Sequence, residues 1–213
     1  MVYQEVVALI DRSGSMHGKE ADTVGGINAM LNELKSSKTE NDIIKVSIKL
    51  FDNEQLLKLR SVDIDSVESF PLSEFVPRGS TALLDAIGDT LTYFMEKKLL
   101  NPTAYDNCIV YVATDGLENT SHKYNILTIK NMIKSAKEVY NINILYLGAN
   151  QDAILEASNI GIDADQAINY SETQENVEAV FRSAGAVASR TRTDGEISAF
   201  TQAERTMSSQ QTQ

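Results

Sequence analysis

The chain has 213 residues, of which 19 are Lys or Arg and 30 are Asp or Glu, so its formal net charge is −11. A single cysteine, Cys108, and two histidines, His17 and His122, exclude an intrachain disulfide framework, a Cys-rich cluster and a His-rich zinc centre. The acidity opposes nucleic acid and anionic membrane, which carry the same sign of charge, so neither is an expected partner.

The chain opens on Met1-Val2-Tyr3 and runs directly into the first apolar segment. It has no basic leader and no run of about 18 apolar residues, so the expectation is a soluble protein of the cytoplasm. Val6–Ile10 is a continuous apolar run, as a central strand covered on both faces requires. The polar cluster Asp11–Gly18 ends it. From about Lys19 to Lys35, Ile27, Met30, Leu31 and Leu34 recur at helical spacing. Ile43–Phe51 alternates, with Lys45, Ser47 and Lys49 on one face, which suits a strand nearer a sheet edge. Asp52-Asn53-Glu54 can turn the chain into Gln55–Leu59, an expected antiparallel edge strand. Residues 60–80 read as irregular. Thr81–Leu100 reads as a long helix with Leu84, Ile87, Leu91 and Phe94 on one face. The strand Asn107–Ala113 leads into a polar loop, and then come a helix over Ile126–Val139 and a buried strand over Ile142–Leu147. A short helix near Gln151–Ser158, a weak strand at Ala167–Tyr170 and a last helix over Thr173–Ala188 complete the pattern.

Strand and helix alternate throughout. That order specifies an α/β fold: a doubly wound, Rossmann-like, mostly parallel sheet with one antiparallel edge strand and helices on both faces. Residues 1–190 form one domain in this reading, and the polar residues 191–213 form a tail expected to be flexible.

In such sheets ligands bind beyond the carboxyl ends of the strands, where strand order reverses. The loops that meet there are Asp11-Arg12-Ser13-Gly14-Ser15, Gly79-Ser80-Thr81 and Thr114-Asp115-Gly116. They present two carboxylates and several hydroxyls. Oxygen ligands suit a hard divalent cation: Mg²⁺ first, which keeps its waters, with Mn²⁺ or Ca²⁺ as alternatives. Capping and turn formation are the structural alternative, since Thr81 is well placed as an N-cap and Asp115-Gly116 is an ordinary turn pair.

Asp11-x-Ser13-x-Ser15, Thr81 in GSTALLDAI and Asp115 in VATDGLEN, in this order and at strand ends, resemble the metal-ion-dependent adhesion site of von Willebrand factor A (VWA) domains, the group that includes the integrin I domains. The resemblance extends from about Tyr3 to Ala188, and all five positions are intact. It implies that Ser13 and Ser15 bind the cation directly and that Thr81 does so in the ligand-competent state. It implies that Asp11 and Asp115 act through bound waters, and that a partner protein supplies an Asp or Glu to the remaining position. It also implies a link between metal coordination and the last helix.

The expected function is therefore a metal-dependent protein-binding module, not an enzyme. Two alternatives stand beside it: an Mg²⁺-dependent hydrolase or phosphotransferase, with Asp11 as its nucleophile and no lysine evident in the motif loops, and an assembly scaffold with a stabilising metal. His17, Glu118, Asn119 and His122 lie in loops at the same end and are candidates for a partner-contact rim. Arg12 is expected to point outward, since a cation beside the site would repel the metal. Asp85, one turn after Thr81, is either an outer acceptor of the site or a favourable charge near a helix N-terminus. Asp63 and Asp65 lack the other ligands of an EF-hand loop and read as surface. Cys108 reads as a small core residue. Beyond the two site carboxylates, the excess acidity reads as solvation.

Overall fold

β1 (Tyr3–Asp11) is buried from its second residue onward because it runs through the middle of the sheet. The computed structural model describes residues 1–149 and 152–209. Among them, β1 is joined by β2 (Ile43–Phe51), β3 (Gln55–Asp63), β4 (Asn107–Thr114), β5 (Ile142–Ala149) and β6 (Ala167–Tyr170) in one sheet of order β3-β2-β1-β4-β5-β6. Every pairing is parallel except that of β2 with the edge strand β3. The chain leaves β1 for β2 on one side and later returns to place β4 on the other. The carboxyl ends of β1 and β4 thus flank the point where strand order reverses.

Alternation along β1 divides the core. Val6, Ala8 and Ile10 face α1 (Glu20–Ser36) and α5 (Gln174–Asp194), while Val7 and Leu9 face α2 (Leu83–Leu100) and α3 (Ile126–Tyr140). The residues at helical spacing fill these layers. Ile27, Met30, Leu31 and Leu34 of α1 meet Val180, Phe181, Ala184 and Val187 of α5 on one face. Leu84, Ile87, Leu91 and Phe94 of α2 lie with Ile129 and Ile133 of α3 on the other. The short α4 (Ala153–Asn159) adds Ala153 and Ala157 to the second layer. Gln151, included in the expected short helix, lies outside the described residues. Among the described residues no helix is long and apolar enough to cross a membrane.

Besides shifts of one to three residues at several element ends, three differences from the sequence expectation bear on the site and the chain's end. β3 continues past Leu59 to Asp63 through a register shift. There Ser61 takes φ +47° and its N–H donates to Ser47 Oγ at 2.9 Å. α2 starts at Leu83, because Thr81 belongs to the preceding loop. The segment after Ala188 departs most. α5 runs on to Asp194, and α6 (Gln202–Ser208) follows, opened by a capping box between Thr201 and Glu204. Arg192 is buried, and it reaches Asp42 at 3.1 Å, Gln4 Oε1 at 3.1 Å and the Ser37 carbonyl at 2.5 Å. Arg190 grips Glu204 through two hydrogen bonds of 2.9 and 3.1 Å. Phe200 is buried, and Arg205 donates to the Ala167 carbonyl on β6 at 2.7 Å. Residues 191–209 are therefore docked rather than loose, because their polar groups have specific partners. Residues 210–213 lie outside the described residues.

α1 and α5 approach closely at two glycines. A Cβ on Gly26 would meet Phe181 Cδ2 at 2.7 Å and Val177 Cγ1 at 3.1 Å, and one on Gly185 would meet Glu33 Cβ at 2.9 Å. Phe181 is fully enclosed and cannot swing away. Gly26→Ala should cost about 1–3 kcal/mol of stability through overpacking. Gly25→Ala, whose nearest neighbour is the flexible Glu178 carboxylate at 3.4 Å, should be neutral or stabilising by up to about 1 kcal/mol. Urea unfolding of the two variants measures the contrast; equal destabilisation would contradict the close-packing account.

Candidate metal centre

Asp11 ends β1 with no solvent exposure. Its Oδ1 accepts from the Ser13 N–H at 2.7 Å, and its Oδ2 accepts from the Thr114 hydroxyl at 2.6 Å. The first bond folds the motif loop back on the strand that carries it. The second ties that loop to the end of β4. Thr114 Oγ1 also bonds both the carbonyl and the N–H of Gly116, at 3.0 and 3.1 Å, so it sets the turn that presents Asp115. Ser13 Oγ lies 3.0 Å from Ser15 Oγ, and the Ser15 hydroxyl donates to Asp115 Oδ1 at 2.6 Å.

Thr81 arrives from the third loop. Its N–H donates to Asn119 Oδ1 at 3.0 Å, and the Asn119 N–H returns a bond to its carbonyl at 3.1 Å. A methyl carbon at Gly116 would lie 3.5 Å from Thr81 Oγ1 and 3.8 Å from Ser15 Oγ. The two hydroxyls thus face a space that the missing side chain leaves open. Among the described residues no three His, Cys, Asp or Glu side chains form a ligand cluster. The converging donors here are hydroxyls with two carboxylates, a set that fits a hard cation with room for water.

Around these five residues a frame of carboxylates accepts backbone N–H groups. Asp52, fully buried, takes the Glu54 N–H at 2.5 Å on Oδ1. Its Oδ2 lies 3.0 Å from Arg12 Nε and accepts from Arg78 Nε at 2.9 Å. Arg12 is therefore buried and turned toward Asp52, not outward as expected, because a carboxylate inside the β2–β3 turn neutralises it. Glu118 accepts from the Leu84 N–H at 2.9 Å and from the Thr120 and Ser121 N–H groups at 2.8 and 2.6 Å. Asp85 accepts from the N–H groups of His122, Lys123 and Tyr124 at 2.9, 2.9 and 3.0 Å. Asp85 thus pins the loop after β4 to α2, a role distinct from both sequence readings. Of the four rim candidates, Glu118 holds the loop together from within, and the exposed Asn119 ties it to the Thr81 loop. His17 and His122 are exposed at the site end of the sheet, with His17 Nδ1 3.5 Å from Glu20.

Sequence reasoning missed Lys19. Its ammonium donates to Asp115 Oδ2 at 2.5 Å and also pairs with Glu172. Partial burial works against this charge, but the hydrogen bonds and charges of Asp115 and Glu172 outweigh it and hold the lysine above its ordinary pKa. Glu172 was missed too, and Thr114, named within its loop, was given no role. Only the meeting of β4, the start of α1 and the residues before α5 reveals what these residues hold.

Comparison with solved structures gives a likeness of fold. The chain is similar to a von Willebrand factor type A protein of Catenulispora acidiphila (16% identity, TM-score 0.61, 88% of this chain and 43% of that one). It is also similar to the vWF domain of the type V pili tip protein Mfa5 of Porphyromonas gingivalis (13%, TM-score 0.60, 92% and 97%). A third similar structure is proximal thread matrix protein 1 of the mussel byssus with a zinc-occupied MIDAS motif (16%, TM-score 0.59, 88% and 46%). The chain spans less than half the length of the first and third and nearly all of the second. No protein-family model matches the sequence, and no curated protein matches it. The fold is the vWA-like α/β fold.

Burial pushes the Asp11 carboxyl up to about 6, with the Thr114 and Ser13 hydrogen bonds opposing and the Asp115 charge adding to the rise. A raised acid pKa means that the folded chain holds the proton more tightly than the unfolded one. In chelator, Asp11 should therefore cost stability progressively as pH rises from about 4 to about 6, by roughly 2–3 kcal/mol once complete. Asp11→Asn lacks that cost, so its stability relative to wild type should increase over this interval. Parallel pH profiles for the two proteins would contradict the assignment.

Proposed function

We propose that this chain is a metal-dependent protein-binding module, in which Asp11, Ser13, Ser15, Thr81 and Asp115 hold a divalent cation, Mg²⁺ first. The observation that carries this reading is the convergence of Ser15, Thr81 and Asp115 around Gly116 at the point of strand-order reversal. When bound, such a cation supplies a concentrated positive charge for an Asp or Glu carboxylate of a partner protein. Ser13, Ser15 and Thr81 contribute neutral hydroxyls, which leave most of that charge available outward. Asp11 orients Ser13 and Thr114 from beneath, and Asp115 orients Ser15. Exposed His17 and His122 flank this end and offer contacts to the same partner. The vWA-like neighbours that include a pili tip protein favour a protein-interaction role over an enzymatic one.

A phosphotransferase reading gains Lys19 as a cation near Asp115, but its nucleophile is poorly placed. Both Asp11 oxygens are engaged in hydrogen bonds, and the side chain has no exposure. A scaffold in which the metal only stabilises the fold predicts partner capture that survives chelation. The proposed setting is the cytoplasm, where a free thiol such as the buried Cys108 is in keeping with reducing conditions.

Mg²⁺ should raise the melting temperature reversibly with EDTA, and partner capture from the native host should be lost in chelator. Thr81→Ala should weaken Mg²⁺ binding roughly 10–100-fold while leaving the fold intact. Mg²⁺ affinity unchanged in Thr81→Ala and Asp11→Ala would refute the site.

Lys19 holds one oxygen of Asp115 and competes with a cation for it. Lys19→Met should therefore tighten Mg²⁺ binding by about tenfold, since removing one partly screened like charge is worth roughly 1–2 kcal/mol. Calorimetric titration of the variant reads this directly, and weaker binding would mean that Lys19 instead orders the site.

A further inference from the structure

We propose that the open corner between β2, β3 and α2 is a second binding site, one that takes a small organic anion: a flat apolar body ending in a carboxylate or phosphate. The corner holds a cavity of about 320 Å³, within the range of small-molecule sites, and none of the five metal-centre residues lines it. It exists because the face of β2 that carries Ser47 and Lys49 lies in register with Val7 and Leu9 of β1, while α2 covers β1 and stops short of the edge strand. The alternation of Lys45, Ser47 and Lys49 has no part in the metal centre, so its polarity here is unexplained by that site.

Two cations meet in this cavity without a carboxylate of their own. Lys49 Nζ donates to Gln55 Oε1 at 3.0 Å and to Thr90 Oγ1 at 2.9 Å, which leaves one of its three N–H groups. The Arg60 guanidinium lies 5.6 Å from the centre of the Tyr93 ring. Among the described residues, neither the half-buried Lys49 nor Arg60 has an acidic oxygen within 4.0 Å, in a chain whose net charge is −11 and whose buried cations, Arg12 and Arg192, are paired. Asp89, the one carboxylate among the described residues that line the cavity, is already taken by Lys123 at 2.7 Å, Gln55 at 2.8 Å and the Tyr124 hydroxyl at 3.3 Å. Burial, with repulsion from Lys123 and Arg60 and partial relief from Asp89, holds the Lys49 ammonium below its ordinary pKa. An anion seated between Lys49 and Arg60 would relieve both cations at once.

Beside these polar groups and Ser47, the walls are apolar. Val7 and Phe94 form a buried floor, and Leu57 and Tyr93 form half-open sides. Tyr93 stands edge-on to Phe94, with ring centres 5.0 Å apart and planes at 87°. A flat ring would pack against Leu57 and Tyr93, with its charged end toward the two cations.

The test is calorimetric titration of the full chain in EDTA, so that no anion binds through a metal, with phenyl phosphate and benzoate as probes. Benzamide and inorganic phosphate serve as controls for the charge and for the ring. At least one probe should bind saturably, at least about tenfold more tightly than either control, and the preferred probe identifies the head group. Arg60→Gln and Lys49→Met should each weaken it about tenfold. Arg60 is exposed, so its variant keeps the test decisive if Lys49→Met folds poorly. Absence of binding by both probes, equal binding of a control, or affinity unchanged in Arg60→Gln would overturn the proposal.

Discussion

The rest of the site depends on one fully buried carboxyl group. Asp11 stands at the end of an apolar strand with no access to solvent, a position that penalises its charge unless the structure supplies hydrogen bonds. It receives two, and each fixes a different loop: the Ser13 N–H holds the motif turn, and the Thr114 hydroxyl holds the end of β4. β1 and β4 are neighbours only because the chain reverses its strand order between β3 and β4. A single side chain can therefore set both serines on one side and the turn that carries Asp115 on the other. Loss of this carboxyl would disturb two of the three site loops together.

The acidic excess of the chain takes on a different meaning in this light. Solvation accounts for part of it, but Glu5, Asp11 and Asp52 are fully enclosed and Asp85 nearly so. Asp85 and Glu118 spend their oxygens on backbone N–H groups of α2 and of the loop after β4, and Asp52 takes the Glu54 N–H while pairing with Arg12 and Arg78, so that the three frame the candidate site. Ionised carboxylates suit this task because they accept several bonds at once and their charge strengthens each of them. The loops at this end are long and polar, and these acceptors replace the apolar contacts that such loops lack.

Lys19 connects the site with the last part of the chain. Its ammonium bridges Asp115 and Glu172, two residues before the start of α5. A competitor for Asp115 would release one end of this bridge and loosen a tie on the approach to α5. The far end of α5 is anchored separately by Arg192 on Asp42, Gln4 and Ser37, so the bridge acts on the site end of the helix and not on its docking as a whole.

Periodicity and strand-end chemistry made most of this molecule legible in its sequence. Apolar runs of strand length, helical repeats such as Ile27-Met30-Leu31-Leu34, and the spacing of Asp11, Ser13 and Ser15 are local patterns, and local patterns survive translation into a line of letters. They specified the α/β fold, the antiparallel edge and the loops that would meet. Partnerships between residues far apart in the chain left no such trace. That Lys19 would lie on Asp115, that Arg12 would turn inward to Asp52, that Asn119 would tie its loop to Thr81, that Arg190 would hold Glu204 and that Arg192 would anchor the end of α5 all depend on which elements are neighbours. Charged and polar side chains carry no periodicity that names their partners. Only the assembled sheet brings those partners within a hydrogen bond of one another.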